Sequence, residues 1–200
     1  MKRIGISQRI CRDEKSGEQR DCLAHDWYAF LCALGVNWTP LPNHRQSAVR
    51  LCGELALDGI LLTGGDDVGI HPERDATEYA LLEWARERQL PVLGVCRGFQ
   101  ILHLWLGGAL TKLPSAGHRA QRHVIRFADG TEREVNSFHN FTPQQTALPP
   151  GLHALATCAT DGALEAACAS NMLGIMWHPE RESDPALEDI RLFRYFFKII

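Results

Sequence analysis

The 200-residue sequence has no apolar run approaching the roughly 20 residues of a membrane-spanning helix. It has no internal repeat, no low-complexity tract and no CxxC pair among its seven cysteines. It also lacks a charge excess of either sign, with 21 Lys and Arg against 24 Asp and Glu and a net charge of −3. Each absence excludes something. Without the apolar run, no membrane partner is expected. The start Met-Lys-Arg leads into Ile4-Gly5-Ile6-Ser7 rather than an apolar h-region, so it does not read as a secretory signal. The balanced charge argues against a general polyanion binder, so no nucleic-acid partner is expected, although a local basic pocket remains open. An odd set of cysteines scattered at 11, 22, 32, 52, 96, 158 and 168 opposes both a disulfide framework and a zinc ribbon. Reduced thiols in a cytoplasmic protein fit better.

What is present is ordinary globular material, 45% hydrophobic and 22% charged. The length predicts one domain over 1–200, able to bury a core without a staple. Lys2–Ser7, Val36–Leu41, Asp58–Thr63 and Pro91–Val95 read as extended segments. Helical patterns at Asp21–Leu34, Ser47–Leu57, Asp75–Arg88 and Gly98–Leu106 alternate with them. The polar stretch Arg12–Asp21 reads as a surface loop. Uniformly apolar strands alternating with helices predict a parallel sheet covered on both faces. After Gly107-Gly108 the rhythm changes to short strands, Val124–Phe127, Arg133–Asn136, Leu152–Cys158, Leu164–Ala169 and Leu173–Trp177, which predict an antiparallel extension. A helix over Pro185–Phe197 follows.

Ligands of open α/β sheets sit at the carboxyl ends of the strands. At one such end, Cys96 lies between Val95 and Arg97 with Gly94 and Gly98 on either side. That is the pattern of a nucleophile elbow, in which glycines permit a tight turn and the following helix points its free N–H groups at the sulfur. A nucleophile needs a base and the base an orienting group. Of nine histidines, His178 alone follows a buried strand with a carboxylate two residues on, so Glu180 can reach one ring nitrogen while the other faces Cys96. Thr63-Gly64-Gly65 ends a neighbouring strand and could turn a backbone N–H toward the thiol, although Gly-Gly is often just a turn. Asp66 and Asp67 supply too few oxygens for a cation and read as loop caps.

Gly94-Val95-Cys96-Arg97-Gly98-Phe99-Gln100 and Trp177-His178-Pro179-Glu180 resemble the nucleophile and His-Pro-Glu motifs of the class I glutamine amidotransferase superfamily. Leu62–Asp67 with Arg74-Asp75 and Glu78, together with Asn136-Ser137-Phe138-His139, resemble its γ-glutamyl hydrolase branch, typified by γ-glutamyl-GABA hydrolases. The resemblance implies a flavodoxin-like three-layer α/β fold with a central, mostly parallel sheet and a small antiparallel extension. It implies a Cys96–His178–Glu180 triad, oxyanion N–H groups from Gly65 and Arg97, and a substrate site formed by Gly64, Gln100, Ser137, Phe138 and His139. The implied reaction is hydrolysis of a small γ-glutamyl amide through a γ-glutamyl thioester, with no metal and no organic cofactor. A homodimer is compatible with it. The branch usually continues with a small residue and Gln where this chain has Asn140-Phe141, so the acceptor side differs.

For the leaving amine, His118, Arg119, Arg122 and His123 in an expected loop, with Arg97 and Arg181, form a candidate anion-binding rim, and Phe138 and Phe141 are candidate stacking or anchoring rings. Ile6–Arg9, Asp21–Trp27 and Thr39–Pro42 are similar to the γ-glutamyl-CDP-amidate hydrolase family of capsular phosphoramidate synthesis. The alternatives are a γ-glutamyl-GABA-type hydrolase, a glutaminase subunit feeding ammonia to a partner synthetase, a catalytically inactive binding homologue, or a cysteine-based redox protein. The six cysteines other than Cys96 read as small packing residues.

Overall fold

A computed structural model of the chain describes residues 1–113 and 118–199. The first half runs β1 (Arg3–Ser7), β2 (Arg9–Arg12), β3 (Gln19–Cys22), α1 (Asp26–Leu34), β4 (Asn37–Leu41), α2 (Arg45–Glu54), β5 (Gly59–Leu62), α3 (Pro72–Glu87), β6 (Val92–Val95) and α4 (Arg97–Trp105). The second runs β7 (Leu110–Lys112), β8 (Arg119–Phe127), β9 (Glu132–Phe138), β10 (Phe141–Pro143), β11 (His153–Cys158), β12 (Leu164–Ala169), β13 (Met172–Ile175) and α5 (Leu187–Phe196).

Among the described residues the main sheet has nine strands in the order β4-β1-β5-β6-β13-β12-β11-β8-β9. The strands from β4 to β13 are parallel, and from β13 to β9 each pairing is antiparallel. β5 (Gly-Ile-Leu-Leu) and β6 (Val-Leu-Gly-Val) are buried along their whole length because helices cover both faces. Successive side chains point to opposite faces, so each strand feeds two cores. Ile4, Ile6, Leu61, Leu93 and Val95 pack against Trp27, Phe30 and Leu31 of α1 and Phe193 of α5, with the Phe30 and Phe193 rings 4.8 Å apart. Ile60, Leu62 and Val92 pack on the other face against Ala48 of α2, Leu81 and Leu82 of α3, and Ile101 and Leu102 of α4. This is the expected three-layer α/β architecture.

Three local expectations are corrected. The stretch Arg12–Asp21 is not simply a loop: β2 and β3 pair in register Arg9↔Cys22 to Arg12↔Gln19, closed by Asp13, whose Oδ1 accepts from the Lys15 and Ser16 amides. That ladder takes Asp21 and Cys22 out of the predicted helix, which begins only at Asp26. The His118–His123 region is not a loop either, since β8 starts at Arg119 and pairs with β9 as far as Arg119↔Phe138. Its first residues are exposed, so no apolar alternation announces the strand. Cys52 and Cys158 are packing residues as expected, whereas Cys11 and Cys32 are exposed.

Candidate active site

The carboxyl ends of β5, β6 and β13 lie side by side, with Leu62 opposite Gly94 and Ile175 opposite Val95. Thr63, Cys96 and the segment Met176–His178 follow directly. Cys96 is the residue between β6 and α4, with φ 52° and ψ −107°, a conformation an L side chain rarely adopts. Its N–H donates to Ile175 O at 2.7 Å, which fixes the elbow on the neighbouring strand. Gly98 packs so tightly on β5 that a Cβ there would overlap the Leu62 carbonyl. Arg97 is the first residue of α4, so its N–H has no partner within the helix.

His178 and Glu180 are buried. Glu180 Oε1 lies 2.6 Å from His178 Nδ1, leaving Nε2 for the cysteine. Burial opposes the charged ring, but the Cys96 sulfur and the Glu180 carboxylate outweigh it and raise the His178 pKa to about 9. Asn136, which the sequence offers only as part of a motif, holds the His178 backbone. Its Nδ2 donates to His178 O and to Glu182 Oε1, each at 2.8 Å.

The turn after β5 is held from behind. Arg74 Nη2 donates to Thr63 O at 2.8 Å and to Gly64 O at 3.1 Å. In a trans peptide the carbonyl and the next N–H point oppositely. With Gly64 O tied to Arg74, the Gly65 N–H faces the other way. Gly64 itself lies against His178, for a Cβ there would sit 2.5 Å from His178 Cε1. Arg74 also pairs with Glu78 at 2.9 Å, and Glu78 and Asp75 both bind the Arg97 guanidinium. Burial pushes the Glu78 carboxyl up, but Arg74 and Arg97 outweigh it and hold it below its ordinary range. One buried ion-pair network therefore joins the two turns that carry Gly65 and Arg97.

The other expected residues are placed as follows. Phe138 is 39% exposed, edge-on to the His178 ring at 5.6 Å, with the Arg181 guanidinium 4.4 Å over its face. Gln100 lies one turn along α4 from Cys96, and its Nε2 donates to Phe141 O at 2.9 Å. Ser137 and His139 are buried, and polar atoms of both are used inside the fold: Ser137 Oγ donates to His118 O at 2.7 Å, and His139 Nδ1 lies 3.1 Å from Phe141 O. The expected arginine rim is corrected. Arg97 is consumed by Asp75 and Glu78, and Arg122 by Glu134 and Glu182. Sequence adjacency located the Arg97 amide but not the direction of its side chain. In their place stands Arg9, which the sequence reading gave no role. It lines a small cavity with Trp27, Thr63, Gly64, His178 and Glu180, and its buried Nε has no hydrogen-bond partner among the described residues. A wide groove between α2, α3 and Trp105 holds neither Cys96 nor His178.

A parallel α/β sheet with a strained cysteine elbow at the end of one central strand and a carboxylate-bound histidine at the end of the next has the architecture of the class I glutamine amidotransferase fold. A solved glutamine amidotransferase from Thermotoga maritima has that fold, with a TM-score of 0.68 at 15% identity over 100% of this chain and 86% of its own. The chain belongs to the peptidase C26 family, whose model matches residues 3–180. It is 31% identical to the γ-glutamyl-CDP-amidate hydrolase of Campylobacter jejuni, over 98% of both chains. It is 28% identical to the γ-glutamyl-γ-aminobutyrate hydrolase of Escherichia coli O157:H7, over 94% of this chain and 89% of that one. No described helix is long and apolar enough to cross a membrane.

Proposed function

We propose that the protein hydrolyses a γ-glutamyl amide, with Cys96 as nucleophile, His178 as general base and acid, and Glu180 as the group that orients His178. The carrying observation is the Cys96–His178–Glu180 arrangement, with one ring nitrogen bound to Glu180 and the cysteine on the other side. His178 takes the proton from Cys96 Sγ, and the sulfur attacks the γ-carbonyl carbon. The resulting oxyanion is met by the N–H groups of Gly65 and Arg97, held in place by Arg74, Asp75 and Glu78. Collapse breaks the C–N bond, and the proton on His178 passes to the departing amine. Water, deprotonated by His178, then attacks the γ-glutamyl thioester and releases glutamate and the thiol.

The reading extends to the leaving group, a nucleoside diphosphate joined through a phosphoramidate nitrogen. A relative with that substrate in its name spans both chains almost end to end. Arg9 offers a guanidinium whose buried Nε has no hydrogen-bond partner among the described residues, and Phe138 with Arg181 offers an aromatic face beside the base. The test is a steady-state panel of glutamine, γ-glutamyl-GABA and γ-glutamyl-CDP-amidate, repeated with Arg9→Met. The expected result is preference for the CDP-amidate, with KM for it alone raised by Arg9→Met. Activity confined to glutamine would refute the reading.

A further inference from the structure

Three imidazoles converge on one carboxylate inside the antiparallel half of the sheet. Glu165, on β12, has no solvent exposure. Its Oε1 lies 3.5 Å from His118 Nδ1, 3.2 Å from His123 Nε2 and 3.4 Å from His139 Nε2. His118 precedes β8, His123 lies on it, and His139 follows β9. His118 and His139 are each 3% exposed. Neither Glu165 oxygen makes a hydrogen bond with a described residue, nor do His118 Nδ1 and His139 Nε2. A buried carboxylate left without hydrogen bonds is costly, and it is aimed at nitrogens equally unsatisfied.

The distances identify what is missing. Charge-assisted N–H···O bonds close to about 2.7–2.9 Å, and these separations are longer. A tetrahedral centre with metal–ligand bonds of about 2.0–2.1 Å has ligand–ligand edges of about 3.3–3.4 Å, and the three separations from Glu165 Oε1 to the ring nitrogens, 3.5, 3.2 and 3.4 Å, are of that size. The outward nitrogens are already fixed, His118 Nε2 at 2.8 Å from Asp161 Oδ2 and His139 Nδ1 at 3.1 Å from Phe141 O. A carboxylate or carbonyl on the far nitrogen is how proteins orient metal-binding imidazoles, leaving the inward nitrogen a lone pair.

We infer that His118, His139 and Glu165, whose donor atoms lie within 4.8 Å of one another, hold a divalent transition-metal ion, zinc by its donor set, with His123 Nε2, 3.2 Å from Glu165 Oε1, closing the fourth position. Three imidazoles and one carboxylate suit zinc, and four protein ligands leave no open position, as in a structural centre. The ion clamps the β8–β9 hairpin to β12. That hairpin carries Phe138 against the His178 ring and Asn136 against its backbone, so the clamp sets where the hairpin meets the base. The ion touches no reacting atom. Cys158 Sγ lies within 4.8 Å of donor atoms of His118 and His123 and is the competing ligand.

The test uses tag-free protein, loaded with one equivalent of zinc or cobalt(II) and freed of excess by gel filtration. Expected are about one ion per chain by mass spectrometry, and the intense visible bands of tetrahedral cobalt without near-ultraviolet sulfur-to-cobalt charge transfer. The ion persists in Cys96→Ser, which removes the reactive thiol as a rival ligand, and is lost in His139→Ala. Asp161→Asn, at an accessible position, weakens zinc in a chelator competition by roughly 10–100-fold. Wild-type protein that retains no ion, cobalt bands of octahedral type, a sulfur charge-transfer band, or loss of the ion in Cys96→Ser would each overturn the site.

Discussion

Asn136 grips the His178 peptide from both sides: the His178 N–H donates to Asn136 Oδ1 at 2.8 Å, and Asn136 Nδ2 donates to His178 O at 2.8 Å. The residue touches no reacting atom and acts by positioning the base. Asn136→Asp loses the donor and sets a carboxylate against a carbonyl. We expect kcat to fall about 10²-fold, as misplacement by about an ångström does, with KM nearly unchanged. Equal loss in kcat and affinity would count against a positioning role.

Arg74 stands in the same relation to the oxyanion turn. Arg74→Lys retains the charge beside Glu78 but cannot span Thr63 O and Gly64 O together. Loss of a pre-oriented oxyanion donor costs about 10²–10³ in kcat, and this variant is expected to approach the lower figure while the thiol still reacts with an alkylating agent. Arg74→Met is expected to lower stability as well, because it leaves Glu78 with only Arg97.

The pH dependence follows from His178. Its ordinary value is 6.5 and its value in the fold is about 9, raised against burial by Cys96 and Glu180. A raised value stabilises the folded state fully below pH 6.5, and that contribution disappears as pH rises through 9. The rate kcat/KM is expected to decline on the alkaline side with an apparent pKa near 9. Glu180→Gln removes one of the raising charges and should move that limb to lower pH. A limb that does not move would separate Glu180 from the base.

Gly98→Ala tests the elbow by packing alone. The added methyl meets the Leu62 carbonyl, which belongs to a buried strand and cannot yield easily. Overpacking of this kind costs roughly 1–3 kcal/mol, to be read from the denaturant midpoint.

Residues whose work follows from chain position were legible in the sequence. Cys96, His178 and the Gly64-Gly65 turn sit at ends of apolar strands, and parallel topology brings such ends together. The three-layer core followed from the same alternation. Contacts between side chains distant in sequence were not legible. Nothing near Arg97 says that it turns back to Asp75 and Glu78, and nothing near Asn136 says that it reaches His178, 42 residues on. The histidines at 118, 123 and 139 meet Glu165 only because β8, β9 and β12 are held in one sheet, and no short motif encodes that spacing. The β2–β3 hairpin was hidden because, apart from Ile10 and two cysteines, its residues are charged or polar and show no apolar alternation.

The left-handed backbone at Cys96 gives the enzyme an opposition between durability and activity. A glycine accepts φ 52° without penalty, whereas any side chain there keeps the turn under tension. Between two equally dead proteins, Cys96→Gly should therefore outlast Cys96→Ala by about 1 kcal/mol, measured by equilibrium unfolding. Glycine at this position would relieve the turn of its tension, so a silent copy carrying it would be harder to melt than the active enzyme.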